Sequence, residues 1–203
     1  MGQNIGLVSD AGMPGISDPG QDLIRDAIDA GIKVVALPGP TASITALVVS
    51  GLSTEKFIFE GFLSPKKKAR IDELNKIKAY DKTTIIYESP HRLLSLLEDM
   101  VDVLGHRNIT ISRELTKKYE ETFRGTPEEA LDKFKSSGVR GEFVIVIEGK
   151  PEDDESSLEE VDIKQLIQDY LDQGYRKKEA VKKVSEEYNL PKNLVYKESI
   201  KIN

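Results

Sequence analysis

The sequence has no cysteine and no tryptophan, and its two histidines are His91 and His106. The lack of cysteine excludes a disulfide framework, thiolate zinc sites, iron–sulfur clusters and thiol nucleophiles. Two histidines leave little for a histidine-rich metal centre, so no metal is expected. No apolar run approaches the roughly 18 residues of a membrane span, and residues 1–10 have no basic, apolar leader pattern. We therefore expect a cytoplasmic protein without membrane contact.

The sequence also lacks an excess of positive charge, since 29 basic and 35 acidic residues give a net charge of −6. A general polycation is excluded, so a phosphate-rich partner must be met by local patches. One such patch stands at a predicted helix start, where the helix dipole disfavours cations unless an anion is bound. Its predicted RNA-backbone contacts are Lys66, Lys67, Lys68 and Arg70. An ordinary solvated helix face is the alternative, because Asp72 and Glu73 follow directly.

Short apolar segments alternate with helical patterns over the first 150 residues, and many of the segments are rich in β-branched residues. The predicted buried strands are 5–9, 33–37, 57–59, 83–87, 109–112 and 143–147. Three predicted helices begin at an N-cap residue followed by proline, and these N-caps are Asp18, Ser89 and Thr126. The alternation predicts an α/β fold with mainly parallel sheets covered on both faces.

The acidic stretch after residue 150 has no apolar periodicity and is typical of a linker. We expect α/β domains over 1–82 and 83–150, a linker over 151–157 and a helical tail over 158–203. The tail has the helix, turn and helix of a helix-turn-helix module, with Asn193 and Lys197 on its second helix. Its nine basic and nine acidic residues weaken the case for DNA binding.

Two shaped loops follow predicted strands near the amino end. The loop over 10–20 is rich in glycine, and Asp10 could accept hydrogen bonds from ligand hydroxyl or amino groups at the carboxyl end of a strand. Its glycine spacing matches neither a phosphate loop nor a dinucleotide fingerprint. The second loop ends in Thr41, Ala42 and Ser43, whose small size leaves room for an aromatic base. A plain helix cap explains the same residues.

Two later strand ends carry polar and charged side chains. Glu88 and His91 could act as proton acceptors, and Arg92 could hold phosphate or pair with Glu88. His106 stands in a turn and is expected to be incidental. The segment 113–117 also ends a strand with charged residues, and a solvated charge run is its alternative explanation.

Taken in order, five strings resemble the tetrapyrrole methylase superfamily and, within it, the ribosomal RNA small subunit methyltransferase I family: SDAGMPGISDPG, LPGPTASITAL, FEGFLSPKKKAR, YESPHRL and RELTK. The match covers roughly residues 3–150. The resemblance implies a two-domain tetrapyrrole methylase-like fold of class III, with S-adenosylmethionine bound between the domains. It also implies a homodimer, and methylation of a cytidine ribose 2′-hydroxyl in 16S rRNA or the 30S subunit.

Carried over position by position, the resemblance gives a donor site made of Asp10, Ala11, Gly12, Pro14, Thr41, Ala42, Ser43, Gly61, Phe62, Glu114, Leu115 and Thr116. Residues 87–92 would line the acceptor side, with Glu88, His91 and Arg92 as candidates for positioning or deprotonating the hydroxyl. Members of this family have a strand and a glycine-rich loop before the SDAG string. The first domain is therefore expected to be truncated.

Two rival functions remain open at this point. A small-molecule methylase acting on a corrin or porphyrin would share the donor cleft. A non-enzymatic protein that binds nucleic acid through its tail would depend on the helix-turn-helix pattern instead.

Overall fold

A computed structural model describes residues 2–151, 163–188, 192–200 and 202. The chain divides into two compact units, 1–152 and 153–203. The strands of the first unit are β1 (Phe57–Phe62), β2 (Thr83–Glu88), β3 (Ile109–Arg113), β4 (Glu121–Gly125) and β5 (Phe143–Ile147). Its helices are α1 (Gln21–Asp29), α2 (Ala42–Ser50), α3 (Lys67–Ala79), α4 (Leu93–Leu104) and α5 (Pro127–Ser137). The second unit holds α6 (Ile163–Asp172), α7 (Lys177–Glu187) and α8 (Lys192–Ser199).

The five strands form one mixed sheet in the order β1-β2-β5-β3-β4. Only β1 and β2 are parallel, and the other three pairs are antiparallel. The prediction of mainly parallel sheets is therefore wrong for this sheet. The segment between β3 and β4 is too short for a parallel crossover, which needs a dozen or more residues. Because β1 and β2 pair directly, the predicted domain boundary between residues 82 and 83 would separate two strands of one sheet.

Pairing register assigns the side chains to the two faces of the sheet, because residues directly opposite each other point to the same side. On one face, Ile85 and Val146 pack with Ala46 and Leu47 of α2. We call this the α2 face. On the other face, strand residues pack with α3, α4 and α5, and we call it the three-helix face. Its buried core consists of Leu63, Leu74, Ile77, Ile86, Leu93, Leu96, Leu97, Met100, Leu104, Ile109, Ile111, Ala130, Phe134, Phe143, Ile145 and Ile147.

The predicted strands 5–9 and 33–37 are not strands in the structure. No described strand pairs with either segment. Their backbone groups therefore make no inter-strand hydrogen bonds with the described strands, and most of their side chains are exposed. Ile5 is 89% exposed and Val35 is 65% exposed. The prediction that these segments are buried is therefore also wrong, because neither segment is part of the sheet.

Helix starts follow the predictions in one case out of three. Thr126 accepts from the Glu129 N–H and Glu129 bonds back to the Thr126 N–H, which confirms the capping box. α1 begins after Gly20 rather than at Asp18. Ser89 belongs to a turn before α4, because its carbonyl accepts from the N–H groups of Arg92 and Leu93. The Asp-Pro and Ser-Pro pairs thus precede the helices instead of starting them.

The second unit is a bundle of three helices, which confirms a helical tail. Its buried core is Ile167, Ala180, Val181, Val184 and Val195. Lys197 is exposed on α8, whereas the side chain of Asn193 lies outside the described residues. Apart from Pro151, the predicted linker also lies outside them. Among all helices of the described ranges, none is long and apolar enough to cross a membrane.

Candidate functional site

A cleft of about 170 Å³ opens on the α2 face of the sheet. Its walls come from the loop 11–12, from Pro40 and the first turns of α2, from Ser112 and Val144 of the sheet, and from the segment 114–117. These parts lie far apart in the sequence, and the sheet brings them together.

Seven of the predicted donor-site residues line this cleft: Ala11, Gly12, Thr41, Ala42, Glu114, Leu115 and Thr116. Five others do not belong to its lining: Asp10, Pro14, Ser43, Gly61 and Phe62. Gly61 instead lies beside the N-terminal loop, where an added Cβ would be 3.4 Å from Ser17 Oγ. Sequence reasoning missed six lining residues, which are Pro40, Thr45, Ser112, Lys117, Glu142 and Val144.

Gly12 allows the two loops of the cleft to approach each other closely. Its φ is +74°, and a Cβ there would lie 2.9 Å from the Pro40 carbonyl oxygen. Any other residue would be strained in this backbone conformation and would push against the Pro40 backbone. The loop 10–20 therefore depends on a glycine at this position.

The segment after β3 holds an unusual backbone conformation at the cleft. Glu114 and Thr116 have φ values of +50° and +65°, which for the β-branched Thr116 is a strained conformation. The Thr116 N–H donates to Glu120 Oε2 at 2.6 Å. Strain of this kind persists only where neighbouring contacts impose it, and it is concentrated at functional sites.

Glu114 anchors the same segment through an ion pair. Lys117 Nζ lies 3.2 Å from Glu114 Oε1, and this hydrogen bond lowers the pKa of Glu114 and raises the pKa of Lys117 from their ordinary values. The Glu142 N–H also donates to Glu114 Oε1, at 3.4 Å. Gly141 makes room for this carboxylate, since a Cβ there would lie 2.7 Å from Glu114 Cγ and Oε1. The segment 114–117, which follows β3, and residues 141–142, which precede the antiparallel β5, are thus held in one arrangement.

Tyr87 points to the α2 face, in register with Val144 and Ser112. Its hydroxyl accepts a hydrogen bond from the Ser43 N–H at 3.1 Å. The ring makes edge contacts with Phe59 and Phe62, with centroids 5.0 and 5.6 Å away. Ser43, predicted to touch the donor directly, is here bonded through its backbone to Tyr87.

Glu88, the next residue, points to the three-helix face and is 1% exposed. Its Oε1 accepts from the Ser89 N–H at 2.7 Å, and Arg92 Nη2 lies 3.3 Å from its Oε2. Arg92 Nη2 also donates to the Leu63 carbonyl at 2.6 Å. Glu88 is thus enclosed and paired, Arg92 is tied to the chain, and of the three predicted catalytic residues only His91 is exposed.

The basic segment at the start of α3 divides into exposed and buried cations. Lys66, Lys67 and Lys68 are exposed, and Lys67 Nζ approaches Asp99 Oδ1 at 3.5 Å. Arg70 is 5% exposed, and its Nε and Nη2 donate to Asp99 Oδ2 at 2.7 and 2.6 Å. Arg70 therefore does not belong to the exposed basic surface, because Asp99 already neutralises its charge inside the protein.

A second cavity, of about 220 Å³, lies between β1 and α3. Its polar groups bond within the chain. Glu60 accepts a hydrogen bond from Tyr80 and raises the pKa of that phenol, while Glu73 Oε2 accepts from the Ser64 N–H at 2.8 Å. We assign the site to the cleft on the α2 face instead, because seven of the twelve predicted donor-site residues line that cleft and one, Phe62, lines the second cavity.

Comparisons with known proteins fit this geometry. The profile described as Tetrapyrrole (Corrin/Porphyrin) Methylases matches residues 1–131. A relative from Halalkalibacterium halodurans, named ribosomal RNA small subunit methyltransferase I, is 47% identical over 198 residues, covering 96% of this chain and 68% of the relative. The chain belongs to the ribosomal RNA small subunit methyltransferase I family. The namesake from Bacillus subtilis is 44% identical over 199 residues, with the same coverage.

Solved structures show the fold. The methyltransferase CobJ aligns with a TM-score of 0.53 at 18% identity, over 68% of this chain and 62% of that chain. A conserved hypothetical protein from Aeropyrum pernix aligns with a TM-score of 0.53 at 19% identity, over 69% of this chain and 56% of that one. The family resemblance and the tetrapyrrole methylase-like α/β fold predicted from the five strings are both confirmed.

Proposed function

We propose that this chain binds S-adenosylmethionine in the cleft on the α2 face and methylates the ribose 2′-hydroxyl of a cytidine in small-subunit rRNA. The observation that carries the proposal is the convergence of loop 11–12, the start of α2 and segment 114–117 on one cleft. These are three of the strings that place the chain in its family.

The residues present suit a nucleoside that carries an amino-acid tail. Ala42, Leu115 and Val144 offer apolar contacts for an aromatic base. The Thr41 hydroxyl and the Glu114 carboxylate offer polar contacts for ribose hydroxyls or an ammonium group. The close approach at Gly12 forms a narrow rim that any Cβ would obstruct. Specificity in such clefts comes from a few polar groups set among apolar walls.

When bound, the cofactor supplies a methyl group on an electrophilic sulfonium. The protein's share of catalysis is then to hold the acceptor oxygen in line at about 3–3.5 Å and to exclude water. A side chain that accepts the hydroxyl proton adds about 10²–10⁴-fold. We propose His91 for this role because it is exposed, whereas Glu88 and Arg92 hold the turn that carries it.

Donor binding is tested by titrating the chain with S-adenosylhomocysteine in a calorimeter. We expect one site per chain, and a chain without measurable binding contradicts the proposal. The acceptor is tested with tritiated donor and 30S subunits, where label should appear in the rRNA. Label transferred to a porphyrin or corrin, and not to rRNA, supports the small-molecule methylase instead.

The proton acceptor is tested by single-turnover kinetics of His91→Gln. We expect the methyl-transfer rate to fall by about 10²-fold or more while the dissociation constant of S-adenosylhomocysteine stays unchanged. An unchanged rate contradicts the assignment of His91.

Lys66, Lys67 and Lys68 form the surface that we propose to contact RNA phosphates. The double variant Lys66→Gln/Lys68→Gln should reduce the slope of log binding constant against log salt by about 1.4, since each single-strand phosphate contact contributes about 0.7. Lys76→Gln/Lys78→Gln is the matched control, because it removes two exposed charges from the last turn of the same helix. Equal slopes for both variants contradict a specific basic surface.

We also propose that the enzyme acts in the cytoplasm, where its rRNA substrate is found, and that it is a homodimer. The dimer rests on the family resemblance. Sedimentation velocity measures it directly, and a single monomeric species at micromolar concentration contradicts it.

A further inference from the structure

The first turn of α2 is held by a residue from another element. The first N–H groups of any helix lack intrahelical acceptors. Thr41 is the N-cap of α2, and within the described residues its side chain makes no capping bond. Instead, the Ser43 N–H donates to Tyr87 Oη at 3.1 Å, across 44 positions of sequence. A phenol on β2 thus performs the task that an N-cap side chain usually performs.

The position of this phenol is itself fixed. Tyr87 lies on β2, which pairs with β1 on one side and with β5 on the other. Its ring packs edge-on against Phe59 and Phe62 at interplanar angles of 72° and 66°. A side chain enclosed in this way loses little further freedom when its hydroxyl accepts a hydrogen bond, so it provides a rigid acceptor.

The far end of α2 is also held, but away from the cleft. Thr110 Oγ1 donates to the Ser50 carbonyl at 3.1 Å, and Arg124 Nε donates to the same oxygen at 3.2 Å. Arg124 Nη2 bonds the Val49 carbonyl as well. Only the near end of α2, with Thr41, Ala42 and Thr45, forms part of the cleft wall. The two ends therefore differ in their relation to the donor, although both are anchored to the sheet.

From this arrangement we infer that Tyr87 is a positioning residue for the methyl donor: by capping Ser43 it holds residues 41–43 at the cleft wall. The inference rests on the proposed function. If the hydroxyl is lost, the Ser43 N–H loses this acceptor and the first turn of α2 opens more often. Part of the binding free energy of the donor is then used to order that turn, so the affinity for the donor falls.

Tyr87→Phe tests this inference because it keeps the ring and removes only the hydroxyl. We expect the dissociation constant of S-adenosylhomocysteine, measured by calorimetry, to rise about fivefold, the value of one neutral hydrogen bond. In the donor-free protein, the hydrogen-exchange rate of the Ser43 amide should rise by a similar factor.

Thr110→Val is the matched control, since it removes a hydroxyl bond from the opposite end of the same helix with nearly the same side-chain shape. It should lower the midpoint of thermal unfolding, while donor affinity and Ser43 exchange stay at the parent values. Unchanged affinity in Tyr87→Phe, or equal losses of affinity in both variants, overturns the inference.

The two readouts also separate this inference from the proposed function. A parent chain that does not bind S-adenosylhomocysteine contradicts the proposed function and, with it, the role of Tyr87 toward the donor. The capping itself is then still decided by exchange. Faster Ser43 exchange in Tyr87→Phe supports it, and an unchanged rate overturns it.

Discussion

On the three-helix face of the sheet, buried charged groups are neutralised inside the protein, whereas on the α2 face Ser112 lines a cleft and Tyr87 bonds the first turn of α2. Asp99 with Arg70, and Glu88 with Arg92, are paired within or beside the apolar core. Ser112 and Tyr87 instead lie on the side where α2 leaves part of the sheet open. In this protein, the burial of a polar side chain and the partners it has, more than its residue type, separate structural groups from candidate site groups.

The adjacent pair Tyr87 and Glu88 shows the contrast at its smallest scale. Successive side chains of a strand point to opposite faces, so one residue along β2 moves a functional group from the cleft side to the core side. Glu88 looks like a proton acceptor in the sequence, yet its Oε1 accepts from the Ser89 N–H, and its Oε2, which has no hydrogen-bond partner among the described residues, lies 3.3 Å from Arg92 Nη2. A role in holding the β2–α4 turn fits its surroundings better.

The largest effect is expected on the three-helix face, at Asp99. Asp99→Ala leaves Arg70 buried without its partner and should lower the free energy of unfolding by about 3–5 kcal/mol, measured by urea denaturation. Asp102→Ala, an exposed change on the same helix, should stay within about 0.5 kcal/mol of the parent. A loss below about 1 kcal/mol for Asp99→Ala would show that the pair is not an internal structural element.

A smaller loss is expected for Glu88→Gln, which keeps the shape and removes the charge that faces Arg92. The free energy of unfolding should fall by about 1–3 kcal/mol, because a buried charged hydrogen-bond partner is weakened. The single-turnover rate of methyl transfer should remain within about twofold of the parent when measured well below the unfolding midpoint. A 10²-fold slower transfer with unchanged stability would return Glu88 to the role of proton acceptor.

On the cleft side, Gly141→Ala and Gly138→Ala form a matched pair. Both place alanine at positive φ, +86° and +76°, at a cost of about 1–3 kcal/mol in stability. Only the new methyl at 141 would meet Glu114, since position 138 has open space around it. We expect donor affinity to fall severalfold in Gly141→Ala alone, and equal donor affinities in the two variants would contradict the role given to Glu114.

The smallest effect is expected to be a fall in the donor affinity of the cleft at acid pH. The pKa of Glu114 is lowered in the folded protein from its ordinary value of 4.5, chiefly by the hydrogen bond from Lys117. The stabilisation that the ionised Glu114 carboxylate gives to the folded segment 114–117 is therefore fully present above pH 4.5. It is lost as the pH falls through the lower folded-state pKa. S-adenosylhomocysteine affinity should decline in that acid range, and the decline should be weaker in Glu114→Gln. Identical profiles would exclude Glu114 as the titrating group.

The sequence predicted the parts of the fold whose signals are local. The segments 83–87, 109–112 and 143–147 are confirmed as buried strands because their apolar, β-branched residues occupy the centre of the sheet. β4 was missed because Glu121–Gly125 contains a single large apolar residue and depends on pairing with β3. Arg70 was grouped with its lysine neighbours since composition does not reveal that Asp99, 29 positions away, encloses it.

The candidate site was predicted only in part, for a related reason. The strings around Gly12, Thr41 and Glu114 are recognisable as a family pattern and do line the cleft. Ser112 and Val144 could not be found in this way, because their common face follows from the register between β3 and β5. One feature of the sequence did indicate the face of Ser112. Alternate residues of a strand point to opposite faces, so Ser112 points away from the face that carries the apolar Ile109 and Ile111.

Binding of the methyl donor on the α2 face can be measured by backbone amide chemical-shift mapping of the isotope-labelled chain. On addition of S-adenosylhomocysteine, we expect the shifted amides to cluster at residues 11–12, 40–45 and 112–117. Shifts that cluster at residues 88–92 and along α3–α5 instead, or no shifts at saturating ligand, would contradict donor binding on the α2 face.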